Sequence, residues 1–170
     1  MILETKRLML RPQMEADAPA LFAILGDEEA MRFWNRPPVT RLAVVEESVR
    51  EQQAAARDGL CRYWTVTRDG EAIGSIDLSL IQAASAELGF LLRRDCWGLG
   101  LATEAVGAVG AYGFNALHLT QIAAVIQTAN RAAARVLEKN TFRLVESRPA
   151  QLANGQYRDC AFYLREQAGF

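Results

Sequence analysis

The stretch ELGFLLRRDCWGLGLATEA, Glu87 to Ala105, passes from apolar residues of strand character through a glycine-bearing loop into a run of helix character. Gly98 and Gly100 stand at i and i+2, so the backbone can turn sharply and approach a ligand without Cβ interference. The unsatisfied N–H groups of the helix's first turn then point outward, with the positive end of the macrodipole behind them. A strand–loop–helix of this kind holds phosphate, and Arg93 and Arg94 stand just upstream to add charge.

Working outward, Thr5 to Arg11 alternates Leu8 and Leu10 with polar neighbours, a strand pattern ended by Pro12. Asp17 caps an expected helix with Pro19 in its first turn and Leu21, Phe22, Ile24 and Leu25 on its apolar face. A second short helix is expected over Asp27–Trp34, stopped before Pro37 and Pro38. Arg41 to Asp58 reads as a charged, alanine-rich helix closed by Gly59. A meander follows, with strands at Tyr63–Thr67, Ala72–Leu80 and Ala86–Leu92 and a tight turn at Arg68-Asp69-Gly70. Beyond the glycine loop come a helix from about Thr103 to Asn115 and a strand at Gln121–Ile126. A helix at Asn130–Asn140 and strands at Phe142–Ser147 and Asp159–Leu164 complete the chain. Antiparallel hairpins combined with one βαβ unit predict an α+β fold, a mixed sheet of about seven strands flanked by helices. With no repeat and no linker, one domain is expected over residues 1–170.

At 170 residues, a single domain buries about 70% of the surface its extended chain exposes, and 51% hydrophobic residues suffice for its core. A net charge of −1 excludes the basic surplus that nucleic acid or anionic lipid demands. Cys61, Cys96 and Cys160 are odd in number, far apart and form no CxxC pair, against a disulfide framework or a metal site and for a reducing compartment. A nucleophilic triad would have to use His118, the single histidine, and nothing near it suggests that. The charged N-terminus is not that of a secretory signal, and the longest apolar run, Ala105–Leu117, is too short to span a bilayer. A cytoplasmic location is expected.

Three phosphate-binding designs compete for the loop. A Walker loop needs Gly-Lys-Ser/Thr, but Leu101 follows Gly100. The dinucleotide fingerprint needs a third glycine where Thr103 stands, and an acidic residue about 20 positions on that His118–Ile122 does not supply. The third design is the pyrophosphate loop of acyl-CoA-dependent transferases. The chain resembles the GNAT-fold N-acetyltransferases, in the branch of the ribosomal-protein N-terminal acetyltransferases (RimJ/RimL-like). The likeness runs from ETKRLMLRP through MRFW-NRPP and GLCRYWTV to GQYRDCAFYL. It is most specific in ELGFLLRRDCWGLGLATEA and NRAAARVLEKNTF.

That resemblance implies a sheet splayed between its fourth and fifth strands, with acetyl-CoA as co-substrate in the gap and no metal. It implies that Trp97, Gly98, Leu99, Gly100, Leu101, Ala102 and Thr103 present backbone amides to the pyrophosphate. Leu92, Arg93 and Arg94 would meet pantetheine and the acetyl group, and Asn130 would hydrogen-bond the cofactor. The reaction implied is acetyl transfer to a primary amine, of a protein N-terminus or a small molecule, by direct attack. A homodimer stays open, since dimers are common in the family. Two departures stand out. Where the family often carries a serine that protonates the leaving thiolate, this chain has Ala133. Where it ends the same helix with Lys-Leu-Gly-Phe, this chain has Lys139-Asn140-Thr141-Phe142, and Asn140 is expected to take over the left-handed glycine position.

Glu87, on the central strand, is the candidate general base, because an α-amine with a pKa of about 8 must lose a proton before it attacks. Asp77 on the adjacent strand is placed to attract or orient the amine. Arg131 and Arg135 lie in the first turns of a helix, where cations oppose the macrodipole; CoA phosphates or Glu138 would be their anion, and Arg135 is included with the cofactor residues. Tyr112, Thr128 and Tyr157 are candidates for the acid that Ala133 cannot be. The acceptor should be met by Asp27–Pro38, with Trp34, Pro37 and Pro38 as a wall, and by Ser147–Gly155. The alternative is an acyl-CoA-binding sensor that has lost turnover, for which Ala133 is the main support.

Overall fold

The computed structural model describes residues 1–167; residues 168–170, the end of the expected domain, lie outside the described residues. Eight strands form one sheet: β1 (Leu3–Glu4), β2 (Met9–Pro12), β3 (Arg62–Arg68), β4 (Glu71–Gln82), β5 (Ser85–Leu92), β6 (Gln121–Gln127), β7 (Arg143–Gln151) and β8 (Tyr157–Glu166). Their order across the sheet is β1-β2-β3-β4-β5-β6-β8-β7. Among the described residues only β5 and β6 run parallel, and the chain between them supplies the crossover helix α3, Leu101–Ala116. The other helices are α1 (Ala18–Leu25), α2 (Leu42–Arg57) and α4 (Arg131–Lys139). The fold is α+β, as expected, with one more strand than the alternation suggests. Among the described residues no helix is long and apolar enough to cross a membrane.

The extra strand comes from the N-terminus. Thr5–Arg11 is not one strand: Thr5 N–H donates to Leu8 O at 2.9 Å, and the turn folds Leu3 back opposite Leu10. The helix expected at Asp27–Trp34 is a series of turns instead. There Asp27 Oδ1 accepts from Ala30 N at 2.8 Å, and Trp34 N–H reaches Met31 O at 2.9 Å, three residues back rather than four. With Pro37 and Pro38 just beyond, the i→i−4 ladder has no room to propagate.

The main core lies between α3 and one face of the sheet, around Leu10, Val66, Ile76, Leu78, Leu101, Val106, Val109 and Ile122. A smaller cluster (Ala18, Leu21, Val45 and Val49) joins α1 and α2 on the other face. Asp17 fixes that second layer, though not by capping α1 as its position predicts. Its carboxylate takes both guanidinium nitrogens of Arg11 at 2.6 and 2.8 Å, the Thr65 hydroxyl at 2.7 Å and Met14 N–H at 2.9 Å. Burial alone would raise its pKa, but the bonds from Arg11, Thr65 and Met14 hold it below the usual carboxylate range.

The glycines of α3, spaced three apart, do not share one purpose. Gly113 faces the sheet, where a Cβ would stand 3.0 Å from Ile122 Cδ1, whereas Gly110 makes room for the Arg165 guanidinium and Gly107 for Asn140 Oδ1. Asn140 sits at φ −98°, and the left-handed position falls on Thr141 at φ +63°. The Asn140 side chain is committed elsewhere, donating to Thr103 O and Val136 O at 3.1 and 2.9 Å.

Candidate active site

At the C-terminal end of β5 the chain makes one 3₁₀ turn, Arg94–Cys96, and then the glycine loop. Gly98 and Gly100 adopt φ +72° and +77°, a conformation that costs an L side chain about 1–2 kcal/mol. Trp97 N–H is consumed by Arg94 O at 3.0 Å, and Glu104 N–H begins α3 on Gly100 O at 3.1 Å. Among the described residues the N–H groups of Gly98, Leu99, Gly100, Leu101, Ala102 and Thr103 meet no protein acceptor. Six consecutive amides are thus left unpaired where the glycine loop enters a helix N-terminus, the kind of group a pyrophosphate can use.

The loop is tied from behind by residues the sequence reading left out. Arg7 Nη1 donates to Leu99 O at 2.8 Å, so this carbonyl is turned away from the amides. Glu104 in turn accepts from Arg7 Nε at 2.7 Å, Arg7 N at 2.8 Å and Thr5 Oγ1 at 2.6 Å. Although burial opposes it, these bonds from Thr5 and Arg7 hold the Glu104 carboxyl below its ordinary pKa. Its negative charge in the first turn also suits the helix dipole.

The gap itself is explicit in the pairing. β5 and β6 share three rungs, Ser85/Gln121, Ala86/Ile122 and Glu87/Ala123, and then separate, which is the splay expected between the fourth and fifth strands. Arg93 N–H donates to Ile73 O at 2.8 Å; by the alternation of an antiparallel ladder, Leu88, Phe90 and Leu92 turn their main-chain groups toward the opening. Leu92 O accepts the Trp97 indole N–H at 2.9 Å, leaving Leu92 N–H for a ligand.

Arg93 does not join this edge. Its amide is bonded to β4 and its guanidinium to Asp95 at 2.7 Å and Glu71 at 3.4 Å. Arg94 pairs with Asp27 at 3.3 Å. Asn130 caps α4, its Oδ1 accepting from Ala133 N at 3.1 Å. Arg131 and Arg135 are exposed, and Glu138 is engaged with the Tyr163 hydroxyl at 3.3 Å instead. Of the three candidate acids, Tyr112 is ruled out by position: it packs edge-on against Trp64 on the core face, ring centroids 5.4 Å apart. Thr128 donates its hydroxyl to Asp159 O at 3.2 Å, and Tyr157 is 64% exposed.

At the closed end of the gap, Glu87 occupies the last shared rung, half-buried, with burial raising its pKa. On β4 it faces Ser79, and Asp77 lies on the same side of the sheet, opposite Gly89. Gly89 is required there, since a Cβ would stand 2.6 Å from Asp77 Oδ1. Burial, reinforced by the charge of Glu87 and opposed by a Ser79 hydrogen bond, pushes the Asp77 carboxyl up to about 7. Tyr63 on β3 pairs across from Asp77; burial and that carboxylate raise its phenol, while Arg36 acts in the other direction. Two carboxyls raised toward neutrality and a phenol therefore share one face beside the gap, an arrangement suited to accepting a proton near neutral pH.

A cavity of about 340 Å³, tied to this face by Arg36, is lined by both segments expected to meet an acceptor. From the α1–α2 connection come Glu28, Met31, Arg32, Arg36, Pro37 and Pro38; the β7–β8 hairpin and the end of β6 supply the rest. The two are latched together by Ala153 N–H on Asn35 O at 3.0 Å and by Gln127 Nε2 on Trp34 O at 3.3 Å. Ser147–Gly155 is not all loop, since β7 runs to Gln151 and only Leu152–Gln156 turns. Trp34 contributes its carbonyl to the latch rather than a wall to the cavity.

The chain thus sets a splaying strand pair beside unpaired amides at the start of a helix. The profile of the "Acetyltransferase (GNAT) domain" matches residues 7–143, and the chain belongs to that family; it is an acetyl-CoA-dependent acetyltransferase. The uncharacterized N-acetyltransferase YoaA of Bacillus subtilis is 32% identical over 146 residues, 84% of this chain and 82% of that one. RimL, the ribosomal L7/L12 alpha-N-protein acetyltransferase in complex with coenzyme A, shares the fold at TM-score 0.90 and 21% identity, over 98% of each chain. A spermidine N-acetyltransferase from Vibrio cholerae, in complex with CoA and spermine, shares it at TM-score 0.85 and 21% identity, over 96% of this chain and 98% of that one.

Proposed function

We propose that the protein moves an acetyl group from acetyl-CoA to a primary amine by direct attack, in the cytoplasm, with Glu87 as the base. The reading rests on one juxtaposition: six free amides at one end of the β5–β6 gap and a raised carboxyl at its closed end. Gly98 to Thr103 hold the pyrophosphate, and Leu92 N–H faces the thioester oxygen, where a hydrogen bond strengthens as negative charge develops. Asn130 and Arg135, at the start of α4, lie on the strand-to-helix connection that follows β6, and Arg135 offers its free guanidinium to the cofactor phosphates.

Acetyl-CoA supplies an activated thioester carbonyl, so no acyl-enzyme is needed. Glu87 takes one proton from the substrate ammonium, directly or through water; the freed nitrogen forms the N–C bond as the C–S bond breaks, and its second proton passes to water. Ala133 offers no hydroxyl, so the departing thiolate takes its proton from water; a thiol pKa of about 8.5 makes that tolerable. Asp77, across the ladder, adds negative charge that draws the ammonium in.

Titration with acetyl-CoA to 100 times its dissociation constant adds about 2.7 kcal/mol of stability, or roughly 5–10 °C in Tm at this size. Amine-dependent thiol release should accompany it. No shift with acetyl-CoA sinks the cofactor site, whereas a shift without thiol release from any amine leaves a binder rather than an enzyme.

A further inference from the structure

The cavity beside the gap carries a charge pattern that acetyl transfer does not by itself require. Arg32, Arg36 and Arg158 line it against one carboxylate, Glu28. Arg36 Nε is buried and has no hydrogen-bond partner among the described residues, and neither Arg36 nor Arg158 has an acid within salt-bridge distance there. Arg158 spends two nitrogens on neutral acceptors, Tyr157 O at 3.0 Å and Gln156 Oε1 at 2.9 Å. Arg32 makes an exposed contact with Glu29 at 3.4 Å and lies over the Phe33 ring, 5.0 Å from its centroid. A guanidinium nitrogen withdrawn from water and left unpaired is costly, and an anionic ligand removes that cost.

The opposite sign prevails a short way off. Tyr63, Asp77 and Glu87 share the sheet face at the gap, and Arg36 lies near enough to Tyr63 for its charge to act on the phenol. Arg36 thus ties the guanidinium-lined cavity to the face that carries the carboxyls.

Resting on the amine-acetylation reading above, we propose that the acceptor is an amine that also bears a carboxylate or phosphate, its ammonium toward Glu87 and its anion held by Arg36 and Arg158. The planar fork of arginine suits both oxyanions. A polyamine fits badly, because its second ammonium would lie among three cations with one carboxylate to offset them. The likeness in fold to a spermidine acetyltransferase thus does not extend to the acceptor. The chemistry is common to a free acidic amino acid and to a peptide N-terminus with acidic residues behind it, and the room is that of a group of amino-acid size.

The test follows thiol release by the full chain with acetyl-CoA and four acceptors: glutamate, a tripeptide acidic at its second and third positions, alaninamide and spermidine. At least one anionic acceptor should exceed both others in kcat/KM by about tenfold or more, the effect of one charged hydrogen bond. Glutamate against the tripeptide separates the two sources. Arg36→Gln and Arg158→Gln should each raise KM for the anionic acceptor by about tenfold, leaving kcat and the acetyl-CoA dissociation constant unchanged. Equal or better use of spermidine or alaninamide overturns the proposal, as does an unchanged KM in both variants. If acetyl-CoA binds but no amine in the panel releases thiol, the transfer reading itself fails and this inference with it.

Discussion

The glycine loop and the carboxyl-bearing face of the sheet lie at opposite ends of the same gap and are built on opposite plans. The loop works with main-chain N–H groups, exposed and unpaired, on glycines that need no side chain. The sheet face works with side chains (Tyr63, Asp77, Glu87 and Arg36) drawn from three strands and a connection and partly withdrawn from water. On the proposed function the first binds a constant partner, the second a variable one. A backbone site tolerates side-chain change and fails when its conformation is altered; a side-chain site behaves the other way round.

That contrast breaks most readily at Glu87. Glu87→Gln should lower kcat by about 10²- to 10⁴-fold and leave the thermal shift with acetyl-CoA intact, because the two ends act separately. Unchanged turnover would retire it as base.

Asp77 comes next, through pH. Asp77 draws in the ammonium only when ionised, so kcat/KM should rise with pH through the region near 7 where it titrates, and that limb should be lost in Asp77→Asn. Stability runs in the other direction. A carboxyl whose folded pKa is raised from 3.8 to about 7 binds its proton more tightly when folded, so stability falls as pH climbs through that window. Asp77→Asn should therefore gain about 2–4 kcal/mol at pH 8 and almost nothing at pH 4, read from urea midpoints.

At the other end, Gly98→Ala sharpens the comparison. A Cβ there meets nothing within 4 Å, so any loss arises from the left-handed backbone alone. Acetyl-CoA should bind about tenfold more weakly, the equivalent of 1–2 kcal/mol, at unchanged kcat. Smallest of all is Leu99→Ser. This side chain is 47% exposed and the amide survives the change, so the dissociation constant should stay within about twofold. A larger loss would show that the loop binds through side chains after all.

The same contrast governs what the sequence discloses. Local signals carry the loop: two glycines between a strand and a helix pattern, and the alternation of β3 to β5, are all within short windows. The splay, by contrast, is implied only by the resemblance to the GNAT-fold acetyltransferases, since a parallel crossover alone does not make neighbouring strands part. What escapes is non-local. Tyr63 opposite Asp77 opposite Gly89 depends on the register of three strands, and nothing in Arg36-Pro37-Pro38 says that the arginine will reach that face. Arg7 escapes because its partners Leu99 and Glu104 are more than ninety residues away. Asn140 misleads because its amide bonds Thr103 O of α3, 37 residues away, as well as Val136 O of α4, leaving the left-handed turn to Thr141.

Arg7 joins the glycine loop to the outermost strands, and that join has a thermal consequence. β1 is two residues long and forms one border of the sheet, where fraying begins well before the interior opens. Warming should free the Leu99 carbonyl first, so enzyme inactivation should set in at a temperature below that of the main calorimetric peak. Saturating acetyl-CoA should bring the two temperatures together.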